Sequence, residues 1–272
     1  MTFESELGSL MPEKVVYVYC VISAKTRPRL PRAASGLPGT SPVRLLDVER
    51  GLWMAVADAP LSRYGEATIN RGLADLRWVS RAALAHEEVI ESFIGETAVL
   101  PMKLFTIFTS DARALEHIAA QRTRIAALVK RVGRHQEWGV RVVLDRARAE
   151  RASVDGSRRK GRSERATSTG AAYLTRKKAQ RDAMVELSSR ARATVAGLYD
   201  RLGARSKLAK RRPASELPVR GGPLLLDAAF LVPRTRAASF KALTAREARA
   251  LFKQGYGVKV SGPWPPYTFV QD

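Results

Sequence analysis

Apolar residues in the first part of the chain follow two periods, and each period predicts a different kind of element. The unbroken β-branched and aromatic run over residues 15–22 predicts a strand that is covered on both faces. Two short apolar segments, 43–48 and 52–57, flank Gly51 and predict a hairpin, because glycine tolerates the positive φ of a tight turn. Between residues 69 and 94 apolar positions recur every three or four residues, which predicts an amphipathic helix or a broken pair of helices.

The stretch over residues 98–108 is apolar but contains Pro101. A proline has no N–H to donate to a strand ladder, so this stretch predicts an edge strand or a loop. Asp111 then predicts the cap of a second helix, and Gly133 predicts its end.

The second half of the chain repeats strand and helix patterns in a regular order. Alternation over residues 138–144 predicts a strand, and an apolar stripe over residues 173–202 predicts a long helix with a basic face. The pattern then predicts a strand at 217–219, a turn, a strand at 224–232, a helix at 240–252 and a strand at 258–260. This βαββαβ order is the ferredoxin-like pattern, in which two helices pack on one face of an antiparallel sheet.

These elements predict an α+β protein with two domains, since single cores rarely grow beyond about 250 residues and the chain has 272. A flexible leader over 1–13 precedes a smaller N-terminal α+β domain, a sheet with helices, over 14–132. A C-terminal ferredoxin-like domain follows over 133–272. Within it, residues 151–170 are rich in Ser, Arg and Gly and predict a basic disordered insert, and residues 261–272 form a proline-rich tail.

Positive charge changes this picture by suggesting anionic partners. The formal net charge is +21, and the region over residues 141–220 alone holds 22 Lys/Arg against 8 Asp/Glu, a net +14. Such a region attracts polyanions, so a nucleic-acid-binding module using residues 141–220 is an alternative function, as is an acidic protein partner. A solvated face of an arginine-rich protein accounts for the same composition.

Sequence motifs for catalysis or cofactor binding are incomplete. His86-Glu87 begins like a zinc-protease helix, but Ile90 stands where the second histidine belongs. Residues 156–163 nearly match a phosphate-binding loop, yet polar sequence lies on both sides instead of a buried strand and a helix. We therefore expect no enzyme activity, no cofactor and no metal site.

Compartment and membrane association are predicted from cysteine usage and apolar runs. The single cysteine, Cys20, cannot form an internal disulfide, which favours the reducing cytoplasm. The longest apolar run, residues 224–232, is about half of the ~20 residues that a membrane-spanning helix needs, and the N-terminus lacks the pattern of a secretory signal.

The tail is the most specific stretch of the sequence. Residues 261–269 read Ser-Gly-Pro-Trp-Pro-Pro-Tyr-Thr-Phe, and three prolines make the segment stiff. A stiff segment loses little entropy on docking, and Trp264, Tyr267 and Phe269 supply large apolar areas. The same rings could simply cap the core of the second domain.

This tail resembles the terminal signature of the gas vesicle GvpL/GvpF family. Other stretches resemble that family in the same order along residues 15–270: 16–19, His86-Glu87, 99–108, 137–142, 172–174 and 229–232. The family usually has an arginine, an aromatic residue and a glycine in its central motif, where this chain has Lys103, Leu104 and Phe105.

The resemblance implies a non-enzymatic accessory or minor structural protein of gas vesicle assembly, localised to the gas vesicle. The implied partners are the small hydrophobic shell protein and other accessory proteins, with no membrane and no cofactor. The candidate partner-binding residues lie in the central motif and the tail, and each could equally be part of a core: Pro101, Lys103, Thr106, Phe108, Trp264, Pro265, Pro266, Tyr267 and Phe269.

Overall fold

The computed structural model describes residues 13–30, 35–145, 147–149, 151, 170–213 and 222–271. The chain forms two compact units, the first comprising Met1–Gln136 with Trp264–Asp272 and the second Glu137–Pro263. The tail from Trp264 onward thus belongs to the first unit, whereas the sequence pattern predicts it in the second. The predicted leader and the predicted basic insert lie outside the described residues, apart from residues 13, 151 and 170.

The first unit is built on an antiparallel sheet whose strand order is β2-β3-β1-β4, with β5 also paired to β1. Its strands are β1 (Lys14–Ser23), β2 (Arg44–Glu49), β3 (Leu52–Pro60), β4 (Ala98–Pro101) and β5 (Ile107–Phe108). The predicted β2–β3 hairpin is confirmed, and Gly51 in its turn has a φ of 84°. The strand β1 lies inside the sheet and is buried along nearly its whole length, as its unbroken apolar run predicts.

Helices of the first unit are α1 (Leu61–Tyr64), α2 (Glu66–Gly72), α3 (Leu76–Glu91), α4 (Asp111–Ala120) and α5 (Arg122–Val132). The broken pair is confirmed in α2 and α3, and the Asp75 carboxylate caps α3 by accepting bonds from the N–H groups of Arg77 and Trp78. The predicted cap at Asp111 is wrong. Ser110 is the capping residue, because its hydroxyl accepts the bond from the Arg113 N–H.

The main core of the first unit lies between the sheet and α3. Tyr17, Tyr19 and Ile22 of β1 are fully buried there against Val89 and Ile90 of α3. Burial of such large side chains is the main stabilising term of this layer.

Among the residues described in the second unit, the strands and long helices follow the predicted βαββαβ order. Its elements are β6 (His135–Leu144), α6 (Gly170–Gly203), β7 (Leu208–Arg211), β8 (Leu224–Pro233), α7 (Ala237–Phe252) and β9 (Tyr256–Trp264), and the sheet order is β7-β8-β6-β9. The α+β class with two antiparallel sheets is confirmed. The ferredoxin-like arrangement of this unit stays a prediction, with which the strand order agrees.

One strand of the second unit is not the one the sequence predicts. The antiparallel partner of β8 is β7, which the apolar pattern does not identify. The predicted strand at 217–219 lies outside the described residues. The segment Leu208–Arg211 lies at the sheet edge, and most of its side chains are exposed. It therefore lacks the alternation of apolar and polar residues that a strand with one buried face shows.

Candidate functional site

A cleft of about 450 Å³ opens in the first unit, where β4 and β5 meet α4 and α5. Its floor is made of apolar side chains that are buried: Val21, Leu100, Ile118, Ile125, Leu128 and Val270. Val21 comes from β1, and Val270 comes from the short tail helix α8 (Tyr267–Val270). The floor therefore combines segments that are far apart in sequence.

Four of the predicted residues line this cleft together: Pro101, Lys103, Thr106 and Phe108. They share one wall because β4 and β5 both pair with β1, and the loop between them returns the chain to the same edge. Lys103 is exposed and makes no ion pair within the part of the chain that the structure describes. A cation therefore stands beside an apolar floor.

The opposite wall carries polar side chains that sequence reasoning missed. His117 Nε2 lies 2.6 Å from Gln121 Nε2, and the Arg124 guanidinium donates to Gln121 Oε1 at 3.2 Å. The His117 ring also packs on Phe108, with the ring centroids 5.0 Å apart. The only sequence feature that could have predicted this wall is the four-residue helical spacing of His117 and Gln121. That spacing indicates no particular chemistry unless the facing wall is known.

Backbone and side-chain hydrogen bonds fix the loop of residues 102–106, which forms one rim of the cleft. The Met102 N–H donates to the Tyr19 carbonyl at 2.9 Å, and the Val18 N–H donates to the Thr106 carbonyl at 2.9 Å. The Thr106 hydroxyl donates to the Lys103 carbonyl at 2.7 Å. The loop is thus tied to β1 at both ends, so the Lys103 side chain projects from a fixed base.

Phe105, at the centre of this loop, adopts a φ of 63°, in the left-handed region that favours glycine. Its ring stacks on Trp78 with centroids 4.9 Å apart and planes inclined by 15°. This geometry accounts for the departure noted in the central motif. A glycine would adopt the backbone conformation without strain, whereas Phe105 offsets its strain by packing on Trp78 and the core.

The tail residues divide into buried and partly buried positions. Phe269 is buried, and Tyr267 packs against the core of the first unit, so the Tyr267 ring does not cap the second domain. Pro265 and Pro266 are buried, and Trp264 is partly buried. The structure brings the tail to the cleft through Val270 and Gln271, which were not predicted, whereas the predicted tail residues are not part of its lining: Trp264, Pro265, Pro266, Tyr267 and Phe269.

The basic region of residues 141–220 is described only in part. On α6, Lys177, Lys178 and Arg181 are exposed, whereas Arg190 pairs with Glu186 at 2.6 Å. Two further arginines, Arg141 and Arg212, pair with the buried carboxylate of Asp227 at 2.8 Å and 2.7 Å. Part of the positive charge in this region is thus neutralised within the fold.

The described part of the chain offers neither a metal cluster nor an activated thiol. Within the described ranges, no group of three or more His, Cys, Asp or Glu side chains is placed to hold a metal ion. Burial raises the pKa of the Cys20 thiol well above its usual range, so it is not an activated nucleophile. None of the described helices combines the length and apolarity needed to cross a membrane.

Comparison with known proteins gives matches over almost the whole chain. The family model described as "Gas vesicle synthesis protein GvpL/GvpF" matches residues 15–271. The chain is 30% identical to gas vesicle protein L of Streptomyces sp. (strain CB03234), covering 94% of this chain and 93% of that protein. It is 27% identical to gas vesicle protein F of the same strain, covering 94% and 99%.

Two solved structures share the fold. The crystal structure of GvpF from Anabaena sp. PCC7120 has a TM-score of 0.64 at 15% identity, covering 95% of this chain and 97% of that chain. GvpF from Microcystis aeruginosa has a TM-score of 0.65 at 16% identity, covering 94% and 99%. With the family model matched from β1 to the tail, this chain belongs to the GvpL/GvpF family of gas vesicle synthesis proteins.

Proposed function

We propose that this chain is a non-enzymatic accessory or minor structural protein of gas vesicle assembly that binds the hydrophobic shell protein and other accessory proteins. Membership of the GvpL/GvpF family supports the gas vesicle role. The observation that carries the binding role is the cleft of the first unit, which gathers Pro101, Lys103, Thr106 and Phe108 around an apolar floor.

The cleft has the composition of a protein-binding surface. A shell subunit exposes apolar surface before it joins the shell, and a binder must cover that surface with an apolar patch surrounded by polar groups. Buried Leu100, Ile125 and Val270 supply the patch, and Lys103 and Arg124 supply a cationic rim. The occupant that fits best is an apolar segment of the shell protein flanked by an acidic residue.

The lining of the cleft supports binding over catalysis. It contains one histidine, His117, and no carboxylate or thiol among the residues that the structure describes there. General acid–base or nucleophilic catalysis usually needs a second titratable group that orients or activates the first. The hydrogen-bond partner of His117 is instead the neutral amide of Gln121.

Capture of the purified shell protein by the immobilised chain tests this proposal. We expect wild type to retain shell protein, and Lys103→Glu combined with Arg124→Glu to reduce retention at least tenfold. Both side chains are exposed, so the double variant should fold normally. Phe108→Ala should also weaken capture, because it removes an apolar ring from one wall of the cleft.

Lys241→Glu combined with Lys253→Glu is the matched control, since both lysines are exposed on or next to α7 in the second unit and the change in net charge is the same. The control should retain shell protein as wild type does. Equal capture by the cleft variants and wild type would show that the binding surface lies outside the cleft. Absence of capture by folded wild type would reject shell binding altogether.

A further inference from the structure

The outward face of α3 carries leucines where a surface helix normally carries polar side chains. Leu76 is 79% exposed and Leu84 is 68% exposed. Ser80 lies midway between them, one helical turn from each, and Leu73 just before the helix is 53% exposed. Leu76 and Leu84 form an exposed apolar stripe on α3, interrupted by Ser80, on a face turned away from the buried Val89.

Charges on this face are separated by sign along the helix. The first half carries Arg77 and Arg81, and the second half carries Glu87, Glu88 and Glu91. None of the five forms an ion pair within the described part of the chain. Burial raises the pKa of Glu87, and burial together with repulsion from Glu87 and Glu88 raises that of Glu91.

Apart from the Asp75 cap at its N-terminus, the order of charges along α3 opposes the helix macrodipole. A helix is stabilised by acidic residues in its first turn and basic residues in its last turn, because the N-terminus is partially positive and the C-terminus partially negative. The first turn of α3 has no acidic residue and its last turn has no basic residue. Beyond the Asp75 cap, the charges of α3 do not stabilise the isolated helix, and their order is complementary to a helix with the opposite order of charge.

We infer that α3 is a self-association surface, on which the same helix of a second copy of this chain packs antiparallel. Reversing the direction of an identical helix places its acidic half against the basic half of the first, so one sequence satisfies both sides. An isologous two-fold interface requires this kind of self-complementary surface.

A two-fold axis that crosses the outward face at the level of Ala82, whose own side chain is buried in the core, gives a consistent register. It sets Arg77 of each copy opposite Glu87 of the other, since both are five residues from the axis. It also sets Ser80 opposite Leu84, so that a small side chain receives a large one. Arg81 then lies about one turn from the partner's Glu87, within reach of a long flexible side chain.

The interface is small, and the association is accordingly weak. A helix of 16 residues is about 24 Å long, so two such helices bury less area than the roughly 1,200 Å² of a stable complex. A reversible dimer of this kind requires a high local concentration of the chain. This inference does not depend on the binding role of the cleft.

Sedimentation equilibrium of the full chain between about 10 and 500 µM, a range suited to a small interface, tests the inference. We expect a monomer–dimer equilibrium for wild type and at least a tenfold weaker association for Leu76→Ser with Leu84→Ser. The same loss is expected for Arg77→Glu with Arg81→Glu, and for Glu87→Lys with Glu88→Lys, because each pair makes both halves of the helix carry one sign.

Mixing two charge-reversed variants tests whether the partner of α3 is a second copy of this chain. Mixing the Arg77→Glu/Arg81→Glu chain with the Glu87→Lys/Glu88→Lys chain should restore a heterodimer, and all four substitutions in one chain should restore the homodimer. Arg249→Glu with Lys253→Glu, near the exposed end of α7, controls for the change in net charge. A wild type that stays monomeric throughout, or charge variants that do not complement each other, overturns the inference and leaves α3 to a different protein or to solvent.

Discussion

The hydroxyl of Tyr17 lies 2.8 Å from Nδ1 of His86, and this pair joins the core to the rim of the cleft. His86 Nε2 faces the Met102 carbonyl at 3.2 Å, which can only accept, so Nε2 carries the proton and Nδ1 accepts from Tyr17. The Tyr17 oxygen in turn accepts from the Phe105 N–H at 3.2 Å. The neutral imidazole therefore holds both ends of the segment that carries Lys103.

Stability should fall on acidification because His86 is buried as a neutral group. Burial lowers its pKa to about 4, against 6.5 for a free histidine. Above pH 6.5 His86 is neutral in both the folded and the unfolded state, and its contribution to the free energy of unfolding is fully present. Between pH 6.5 and 4 the unfolded chain takes up the proton first, so about 3 kcal/mol is lost by pH 4.

Urea unfolding at several pH values, followed by hydrogen exchange of β1 amides, measures this loss. His86→Gln should be less stable at pH 7 but should show a smaller decline toward pH 4, because the titrating group is gone. Tyr17→Phe is the matched control, since it removes the hydroxyl but keeps the histidine. An equal decline in wild type and His86→Gln would show that other groups cause the acid sensitivity.

Phe105 should respond differently to glycine and to alanine. Phe105→Ala removes the stacking on Trp78 and keeps a side chain at a φ of 63°, so we expect a loss of roughly 2 kcal/mol. Phe105→Gly loses the same ring but relieves the backbone, and should be about 1 kcal/mol more stable than the alanine variant. Thermal unfolding of both variants checks the order, and a glycine variant less stable than alanine would contradict it.

Local patterns predict the elements that are regularly buried. The run in β1, the turn at Gly51 and the helical period of α3 each reflect burial by neighbouring layers, so the sequence carries the period directly. The edge strand β7 has no such burial and gives no pattern. Which unit receives the tail is a tertiary property, because it depends on where Tyr267 and Phe269 find a core.

One wall of the cleft can be predicted from the sequence, and the other cannot. The central motif supplies Pro101 and Phe108 on one wall, where a family resemblance and an interrupted strand both point. The other wall depends on α4 and α5 folding back over the sheet, which no local spacing encodes. Gln121 and Arg124 are ordinary helix-surface residues in sequence, and they become part of a site only through the helix packing.

Phe269 should be a stability residue of the first unit, with only an indirect effect on binding. It is 5% exposed and its carbonyl accepts a bond from the Arg131 guanidinium at 3.4 Å. Phe269→Ala should destabilise the first unit by about 3 kcal/mol, as expected for a buried aromatic ring. Gln271→Ala, at an exposed position on the cleft, serves as the control and should leave unfolding unchanged.

Hydrogen exchange resolved by unit measures this effect. Faster exchange confined to the first unit is the expected result for Phe269→Ala. Faster exchange in the second unit instead would contradict the assignment of the tail to the first unit.

Duplex DNA should bind the basic region weakly and without sequence preference. Lys177, Lys178 and Arg181 are exposed cations on α6, and each phosphate that they neutralise releases a counterion. The logarithm of the affinity should therefore fall steeply with the logarithm of the salt concentration, and reversal of all three to glutamate should make the slope shallower by about 2 to 3. Fluorescence anisotropy across a salt series measures both the affinity and the slope.

Capture of shell protein should be unchanged in the triple variant, because the cleft lies in the first unit. Tight, sequence-specific binding would instead favour a nucleic-acid function, whereas absent or salt-insensitive binding would remove that alternative.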